Sequence, residues 1–439
     1  MIDLLTRYVW LIATSLIIML GVYLSFKLKF AQFSFKEIKK NLSKKINSDK
    51  GITPIQSLMM SLAGRIGVGS ISGVALAIYV GGVGTIFWIW VTAILGAVIS
   101  LSETVVGILY RDKDKDGIYI GGPAFYISKC LTKPILGKIY AILIILSYIG
   151  GFLGIQSNTI TKLVNTIIPV SPYIVGLIIV IIISFIIYGG IKKIAKACET
   201  IVPIMTIFYV GIALIILIIN INKMPTIIGL IFKDAFNFRS LTAGIATMIF
   251  GIQRGIFSNE AGVGTGAIAS SASSSDNPVG QGYIQMLGVY ITSLVICSST
   301  AIIILTSNYQ GLVINDVNGI ELASYAFNYH LGSLGNVCML IAIVLFSFST
   351  ILTGYYDGES SLKFLIKDIG KKGINILKMV TLIVLFLGSF LSSTFLWNFV
   401  DLLVGILAII NIYALFVLRN RIKEEFLYYK IKNRDKIDV

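Results

Sequence analysis

Long runs of apolar residues alternate with short polar segments along almost the whole chain. Each run is close to the length, about 20 residues, that an α-helix needs to cross a bilayer. Only a tight turn at Ser392, Ser393 and Thr394 separates the last two runs. We therefore predict an all-α integral membrane protein with eleven transmembrane helices, at 4–26, 52–80, 83–110, 137–168, 172–190, 200–221, 241–270, 281–306, 332–355, 376–396 and 397–418.

Glycines and charged residues interrupt two of these runs. The segment Ala63–Gly73 contains Arg65, and the segment Gly251–Gly264 contains Arg254 and Glu260. Irregular, charged backbone at membrane depth persists only where protein buries it or where it lines a cavity. Paired interruptions of this kind are typical of secondary transporters, in which they form the binding site. Close packing of small residues would explain the glycines but not the charges.

Lysines and arginines are distributed unevenly over the polar segments. Of the 36, 29 lie in one set of alternating loops, from 27–50 to 419–439, five lie in the other set, and two lie within runs. Because cytoplasmic loops carry the excess of positive charge, the N-terminus is predicted outside and the C-terminus in the cytoplasm. The protein is thus expected to be a multi-pass protein of the cell membrane.

The ten runs after the first one divide into two groups of five, and an interrupted run opens each group. The groups start from opposite sides of the membrane, which predicts an inverted repeat. The expected divisions are an N-terminal helix with a basic arm (1–50), two five-helix repeats (51–221 and 222–418) and a basic tail (419–439).

Composition narrows the possible functions. The chain is 56% hydrophobic and 13% charged, and its net charge of +15 comes from residues between the apolar runs, so nucleic acid is not an expected partner. The four cysteines show no CxxC or metal-ligand spacing. The single histidine, His330, leaves little room for hydrolytic or metal chemistry. We predict a protein that is not an enzyme and has no cofactor.

A broken helix offers free amide groups to a substrate carboxylate and free carbonyl groups to a hard cation. Glycine permits such unwound backbone and the close approach of a ligand. On this basis the first break is predicted at Gly67, Gly69 and Ser70. The second is predicted around Phe250, Gly251 and Gly255, of which Phe250 and Gly251 are candidate substrate contacts.

Three further polar residues are candidates for the site. Ser349 and Thr350 in the ninth run can complete a sodium shell begun by carbonyl groups of the first broken helix. Hydroxyls in membrane helices also bond their own i−4 carbonyl, and that alternative stays open. Gln156 lies in a polar cluster on an apolar run, where it contacts either a substrate or a neighbouring helix.

Some charged residues are expected to be buried, namely Arg65, Glu103, Arg254, Glu260 and Asp401. Isolated charges are expensive in a membrane, so we expect pairs, which lock helices together more often than they transfer protons. The basic arm, residues 26–50, combines phenylalanines with eight lysines. It is either an amphipathic arm on anionic lipid headgroups or a solvated linker.

From about residue 52 to 418 the chain resembles the alanine/glycine:cation symporter family. The matching segments are Ala63–Gly73, Gly81–Ala93, Gly121–Pro123, Gly251–Gly264, Pro278–Gly282 and Phe348–Leu352, then Tyr356, Gly358 and Glu359, with Trp397, Asp401, Gly405 and Asn411 in the last run. The resemblance implies a LeuT-like fold and sodium-driven uptake of a small neutral amino acid such as alanine, glycine, serine or glutamine.

The same resemblance assigns roles to individual residues. It implies Gly67, Ser70, Ser349 and Thr350 near a sodium ion, and Gly69, Ser70, Gln156 and Thr350 near the substrate. Many family members have asparagine at Ser70 and tryptophan at Gly354, which is also placed beside the substrate. The smaller residues here predict a larger pocket, which would favour larger neutral amino acids.

Two other classes of protein could share features of this sequence. A proton-coupled amino-acid permease of the same fold is the alternative. In such permeases a basic residue on the fifth core span can replace the cation, but residues 200–221 contain no lysine or arginine. A membrane-embedded enzyme would need a nucleophile with a base or a metal site, and the sequence shows neither.

Overall fold

The computed structural model describes residues 2–43, 51–237, 241–314, 317 and 319–434. Within these ranges the chain is almost entirely helical. The only strands described there form a short antiparallel hairpin, β1 (Asp112–Lys113) and β2 (Tyr119–Ile120).

The first half begins with a long apolar helix and continues through a bent helix pair. A π-helical segment, Ile145–Phe152, joins two of its helices into one continuous span. The α-helices described in this half are α1 (Ile2–Lys27), α2 (Phe35–Leu42), α3 (Pro54–Arg65), α4 (Ser72–Gly81), α5 (Thr85–Leu109), α6 (Pro123–Cys130), α7 (Pro134–Ile144), α8 (Leu153–Ile167), α9 (Pro172–Ile187) and α10 (Gly190–Ile219).

The second half contains a second interrupted helix and a second π-helical segment, Ile291–Cys297. Its described α-helices are α11 (Met224–Ala235), α12 (Leu241–Asn259), α13 (Thr265–Ser271), α14 (Pro278–Tyr290), α15 (Ser298–Leu305), α16 (Tyr309–Ile314), α17 (Gly319–Leu331), α18 (Ser333–Leu365), α19 (Lys371–Gly388), α20 (Ser393–Val417) and α21 (Arg419–Arg434).

Among the described residues, seven helical segments are long and apolar enough to cross a membrane, or eight if the bent pair α3 and α4 is one span. This agrees with a multi-pass membrane protein. The other three predicted spans are also helical, but they are too short, too charged or too interrupted to count as membrane-spanning helices on length and composition alone. Helix α9 has 16 residues, α19 contains three lysines, and 241–270 is divided between α12 and α13. The last tight turn lies at 389–392, before the position predicted for it.

Helix α5 lies at the centre of the molecule, where it packs against α1, α12, α13 and α14. Helix α18 packs against α3, α8, α10 and α17, and so faces the bent pair from the other side. Helix α1 runs along α20, and the Trp10 indole nitrogen donates to the Asp401 carbonyl at 2.9 Å. Large apolar side chains such as Ile207 and Ile218 are exposed on the outer surface, as expected where lipid is the solvent.

The basic arm folds back onto the C-terminal helix. The chain turns at Lys29 and Phe30, both with positive φ, and enters α2. The Tyr429 hydroxyl of α21 donates to Glu37 Oε2 at 2.6 Å, and Asn41 of α2 donates to the same hydroxyl at 2.8 Å. Helix α2 is therefore a packed element; residues 44–50 of the arm and 435–439 of the tail lie outside the described residues.

The hairpin between α5 and α6 ties two distant elements together. The Arg111 guanidinium, just before β1, donates to the Ser273 carbonyl at 2.6 Å, and it forms an ion pair with the exposed Asp276 at 3.3 Å. On its other side, Asp114 pairs with Lys363 of α18 at 3.0 Å. The hairpin thereby connects the segment that follows α13 to the end of α18.

Candidate functional site

The first break lies at the position predicted for it. Helix α3 ends at Arg65, a short 3₁₀ turn spans Val68–Ser70, and α4 begins at Ser72 with its axis bent by 61°. Glycine is required here for close approach. A Cβ atom on Gly67 would lie 2.6 Å from Thr350 Oγ1, and one on Gly69 would lie 3.3 Å from the Phe257 ring.

The hydroxyl pair of α18 faces the end of α3. Thr350 Oγ1 lies 2.9 Å from the Ala63 carbonyl oxygen and 2.8 Å from that of Phe346. Ser349 Oγ lies 3.5 Å and 3.0 Å from the same two carbonyl oxygens. Each hydroxyl therefore bonds a carbonyl of its own helix and also reaches the broken one, while the role of the pair as sodium ligands stays a prediction.

These four oxygens form a compact cluster between α3 and α18, and all of them belong to buried residues. Two are carbonyl oxygens and two are hydroxyl oxygens, the neutral ligands that a hard cation accepts. We call this group the oxygen cluster: the carbonyl oxygens of Ala63 and Phe346 with Ser349 Oγ and Thr350 Oγ1. Its donor set fits a small monovalent cation.

Ser70 joins the first break to three other helices. Its hydroxyl lies 2.8 Å from Ser258 Oγ on α12, which in turn lies 3.1 Å from Cys297 Sγ. Its carbonyl accepts a hydrogen bond from Thr300 Oγ1 of α15 at 2.9 Å. Tyr209 of α10 bonds Thr300 at 2.7 Å. Ser258 and Thr300 thus bond Ser70, and Cys297 and Tyr209 bond them in turn. None of the four is predictable from the sequence, which does not show which helices surround Ser70.

Gln156 of α8 reaches the first break from another direction. Its Oε1 accepts from the Val68 backbone N–H at 3.4 Å, and its buried Nε2 has no partner among the described residues. The structure thus brings Gln156 together with Gly67, Gly69 and Ser70.

The second break differs from its predicted position. Helix α12 is continuous through Phe250, Gly251 and Gly255, and the unwound segment lies at 260–264, between Asn259 and Thr265. Gly251 and Gly255 serve helix packing instead: a Cβ atom on Gly251 would lie 2.6 Å from the Thr85 carbonyl oxygen of α5, and one on Gly255 would overlap a side chain of α5.

Phe250 is also away from both breaks. Its Cβ atom lies 3.1 Å from the place of a Cβ atom on Gly81, at the far end of α4. The structure therefore does not group Phe250 or Gly251 with Ser70 and Gln156. The side chains of α12 that do approach the first break are those of Phe257, beside Gly69, and Ser258, bonded to Ser70, about two turns later.

Gly354 lies against α8 and the π-helical segment before it. A Cβ atom there would be 2.9 Å from Leu153 Cδ2 and 3.5 Å from the Tyr148 ring. Leu153 thus fills the space that a larger residue at 354 would take. The void nearby, lined by Tyr148, Phe152, Phe257 and Glu260 among others, is too narrow for a water molecule.

The buried charges are only partly paired. Arg254 and Asp401 form the expected pair, with Nη2 and Oδ2 2.6 Å apart. Arg65 differs: it donates to the Gln285 carbonyl and to Ser100 Oγ, each at 3.0 Å, and no carboxylate of the described residues lies within 4 Å. Neutral acceptors thus satisfy part of this guanidinium.

Glu103 and Glu260 bind neutral donors as well. Glu260 accepts from the Tyr148 hydroxyl at 2.8 Å and from Thr265 Oγ1 at 2.7 Å. Glu103 accepts from the Gly262 N–H at 2.9 Å and from the Asn411 amide at 2.6 Å. Both glutamates therefore hold the second break in place rather than forming ion pairs.

A bundle of long apolar helices with two broken helices that contact one another is typical of a membrane transporter of the secondary type. The chain belongs to the sodium:alanine symporter family, whose model matches residues 1–438. This is a family of transporters, so the protein is not an enzyme.

Known relatives align with this chain over most of their length. The chain is 37% identical over 408 residues to the probable sodium/glutamine symporter GlnT of Bacillus subtilis (strain 168), covering 92% of this chain and 84% of that one. It is 34% identical over 421 residues to the sodium/alanine symporter AgcS of Methanococcus maripaludis, covering 92% and 91%. It is 35% identical over 418 residues to the putative sodium/proton-dependent alanine carrier protein YrbD of Bacillus subtilis, covering 91% and 86%.

Proposed function

We propose that this protein couples sodium entry to the uptake of a small neutral amino acid. The observation that carries the proposal is the oxygen cluster between α3 and α18, with Gly67 pressed against Thr350. A sodium ion there would be held by the two hydroxyls and by carbonyl groups freed at the end of α3. Gly67 and Ser70 contribute the unwound backbone that makes those carbonyls available. Sodium is then the coupling ion, with no further cofactor.

The substrate would occupy the space beside the first break. Gln156, the Gly69 backbone and the Ser70 hydroxyl present polar groups there, and the Phe257 ring bounds the space beside Gly69. An α-carboxylate suits the free amide groups of a broken helix. The names of the relatives, a glutamine symporter and an alanine symporter, support a substrate in the range from alanine to glutamine.

The side chain that this space admits is smaller than the sequence alone indicates. Leu153 fills the volume beside Gly354, so the loss of a tryptophan there does not open a cavity in this conformation. Alanine, glycine and serine are accordingly the first substrates to test, followed by glutamine.

The proposed architecture is a LeuT-like inverted repeat, with residues 51–221 and 222–418 as its halves and the N-terminus outside. Support comes from the opening of each half by a broken helix, α3 with α4 and α12 with α13. The excess of lysine and arginine in alternate loops supports the orientation.

Proton-coupled transport is the alternative function. The relative YrbD is described as a putative sodium/proton-dependent alanine carrier protein, and Glu103 and Glu260 are buried carboxylates without an ion-pair partner in the described part of the chain. Uptake of labelled alanine into proteoliposomes separates the two functions. A sodium gradient at constant pH should drive accumulation, whereas a pH gradient in choline should not; the reverse result would favour proton coupling and overturn sodium coupling.

We also propose that the arm around α2 binds anionic lipid headgroups. Lys29, Lys36 and Lys39 are exposed beside the exposed rings of Phe30 and Phe35. Aromatic side chains at the interface with lysines above them suit a negatively charged leaflet. Replacing the three lysines by glutamine should weaken activation by phosphatidylglycerol in vesicles, while glutamine at Lys371 and Lys372 should not. Equal responses of the two variants would contradict this.

A further inference from the structure

At Gly262, in the unwound segment of the second break, both backbone polar groups form hydrogen bonds to side chains of other helices. The Gly262 N–H donates to Glu103 Oε1 of α5 at 2.9 Å, and the Gly262 carbonyl accepts from Asn411 Nδ2 of α20 at 3.0 Å. Gly262 has a φ of +91°, which favours glycine. Membrane-depth backbone outside a helix needs such partners, because no water is available to supply them.

The side chains that hold this backbone also hold one another. Asn411 Nδ2 donates to Glu103 Oε1 at 2.6 Å as well, and the Asn411 side-chain oxygen accepts from the Tyr126 hydroxyl of α6. Tyr140 of α7 donates to the next carbonyl, that of Val263, at 2.5 Å. We call these four residues, Glu103, Tyr126, Tyr140 and Asn411, the second-break clamp.

The clamp is one helical turn from residues that contact the first break. Ser258 lies four residues before Gly262 and its hydroxyl bonds that of Ser70 at 2.8 Å. Phe257 packs on Gly69. The conformation of the backbone at 260–264 fixes where α12 ends, and thereby fixes where these two side chains meet the first break.

We infer that the second-break clamp positions the transport site, acting through Gly262 and Val263 without touching the cation or the substrate. The inference rests on the proposed function for its transport readout. It predicts that loosening the clamp raises the substrate KM and the sodium concentration for half-maximal uptake in protein that is otherwise folded.

The second-break clamp requires a hydrogen-bond acceptor at Glu103, not its negative charge. Both donors use Oε1, and the buried Oε2 has no partner among the described residues. A glutamine keeps the accepting oxygen, so Glu103→Gln should leave KM within about twofold of the unmodified protein. Glu103→Leu and Asn411→Leu remove the grip and should raise KM about tenfold or abolish uptake.

A matched pair of tyrosine substitutions separates positioning from general stability. Tyr140→Phe removes a phenol that donates to a carbonyl of the second break at 2.5 Å. Tyr290→Phe removes a phenol that donates to the Gln32 carbonyl of the basic arm at 2.6 Å. Both phenols belong to buried residues. The two variants therefore lose the same kind of bond at different places.

Two measurements are made on both purified variants. Hydrogen exchange of the peptide covering 256–268 should be faster by about three- to tenfold in Tyr140→Phe and unchanged in Tyr290→Phe. In proteoliposomes, KM and the half-maximal sodium concentration should rise at least about threefold in Tyr140→Phe only, at equal protein yield and melting temperature.

The inference is overturned if the two variants show the same exchange in that peptide and the same KM, or if Tyr140→Phe lowers only yield and melting temperature. A lack of sodium-dependent uptake in the unmodified protein would instead contradict the proposed function. In that case the exchange comparison still decides whether the clamp holds the break.

Discussion

The two broken helices are held in different ways. At the first break, the polar partners of the backbone are mainly hydroxyls and one amide, and Gln156 meets the Val68 N–H at a long 3.4 Å. At the second break, a carboxylate, an amide and one phenol bond the unwound backbone at 2.5–3.0 Å. Hydroxyl and carbonyl groups can exchange their hydrogen bonds for contacts to an ion. We therefore expect the first break to be the side that binds ligands, and the second to be the side that is fixed.

The largest effect on stability is expected from breaking the ion pair between Arg254 of the second broken helix and Asp401. Arg254 and Asp401 are both more than nine-tenths buried. Asp401→Asn leaves the guanidinium without its counter-charge, which should cost about 3–5 kcal/mol of stability. We expect a large fall in yield and in the melting temperature in detergent.

Asp276→Asn is the matched control, because it breaks the Arg111 pair at an aspartate that is 91% exposed. Its cost should stay below about 1 kcal/mol. If the two asparagine variants melt at the same temperature, the Arg254 pair does not stabilise the second broken helix as we describe.

The next largest effect is expected at the first break, where we propose that sodium binds. In Gly67→Ala the new methyl group would lie 2.6 Å from Thr350 Oγ1, within the oxygen cluster. Overpacking of this kind costs about 1–3 kcal/mol, so the half-maximal sodium concentration should rise about tenfold or more. Uptake against sodium concentration in proteoliposomes measures the change.

Gly211→Ala is the control for that substitution, since nothing lies within 4 Å of its added Cβ atom in α10. It should transport normally. A Gly67→Ala protein with unchanged sodium dependence would remove the oxygen cluster as the cation site.

A smaller effect is expected from the hydroxyl itself. Thr350→Val keeps the shape of the side chain and removes the oxygen that meets the Ala63 carbonyl at 2.9 Å. The loss of one net polar interaction is worth about 1 kcal/mol, and a cation ligand is worth more, so the sodium requirement should rise about fivefold or more. Thr350→Ser retains the oxygen and should stay close to the unmodified protein. Equal sodium curves for the valine and serine variants would exclude Thr350 as a ligand.

The smallest effect tests the size of the substrate space. Gly354→Ala places a methyl group 2.9 Å from the end of the Leu153 side chain, which can turn aside at a cost below about 1 kcal/mol. We expect near-normal alanine uptake and weaker competition by glutamine in a panel of unlabelled amino acids. Unchanged competition by glutamine would show that Gly354 is away from the substrate.

The contrast between the breaks also explains what the sequence could predict. The first break follows from local residues, because Gly67 and Gly69 lie between two apolar helices and the chain must bend there. The second break was placed too early. Gly251 and Gly255 look like helix breakers, but they face α5, and their lack of side chains allows the two helices to touch. Only the neighbouring helix shows this difference.

For buried charges, the sequence predicts that an oppositely charged partner is needed, but it does not predict which distant residue supplies it. The sequence indicates that Arg254 needs a carboxylate, yet Asp401 is 147 residues away. The role of Ser349 and Thr350 as cation ligands stays a prediction, although their approach to Ala63 makes it testable. The contacts of Phe257 and Ser258 with the first break are not predictable from their motif, in which the glycines are the most conspicuous residues.

The contact between Trp10 of α1 and the Asp401 carbonyl of α20 bears on how the protein is made. Trp10 is synthesised 391 residues before Asp401. At the usual speed of synthesis, about 5–20 residues per second, α1 waits roughly 20–80 s for α20. Helix α1 must therefore be stable in the membrane alone, which suits its 24-residue apolar span. The arm that follows waits about as long, since its Asn41 precedes Tyr429 by 388 residues.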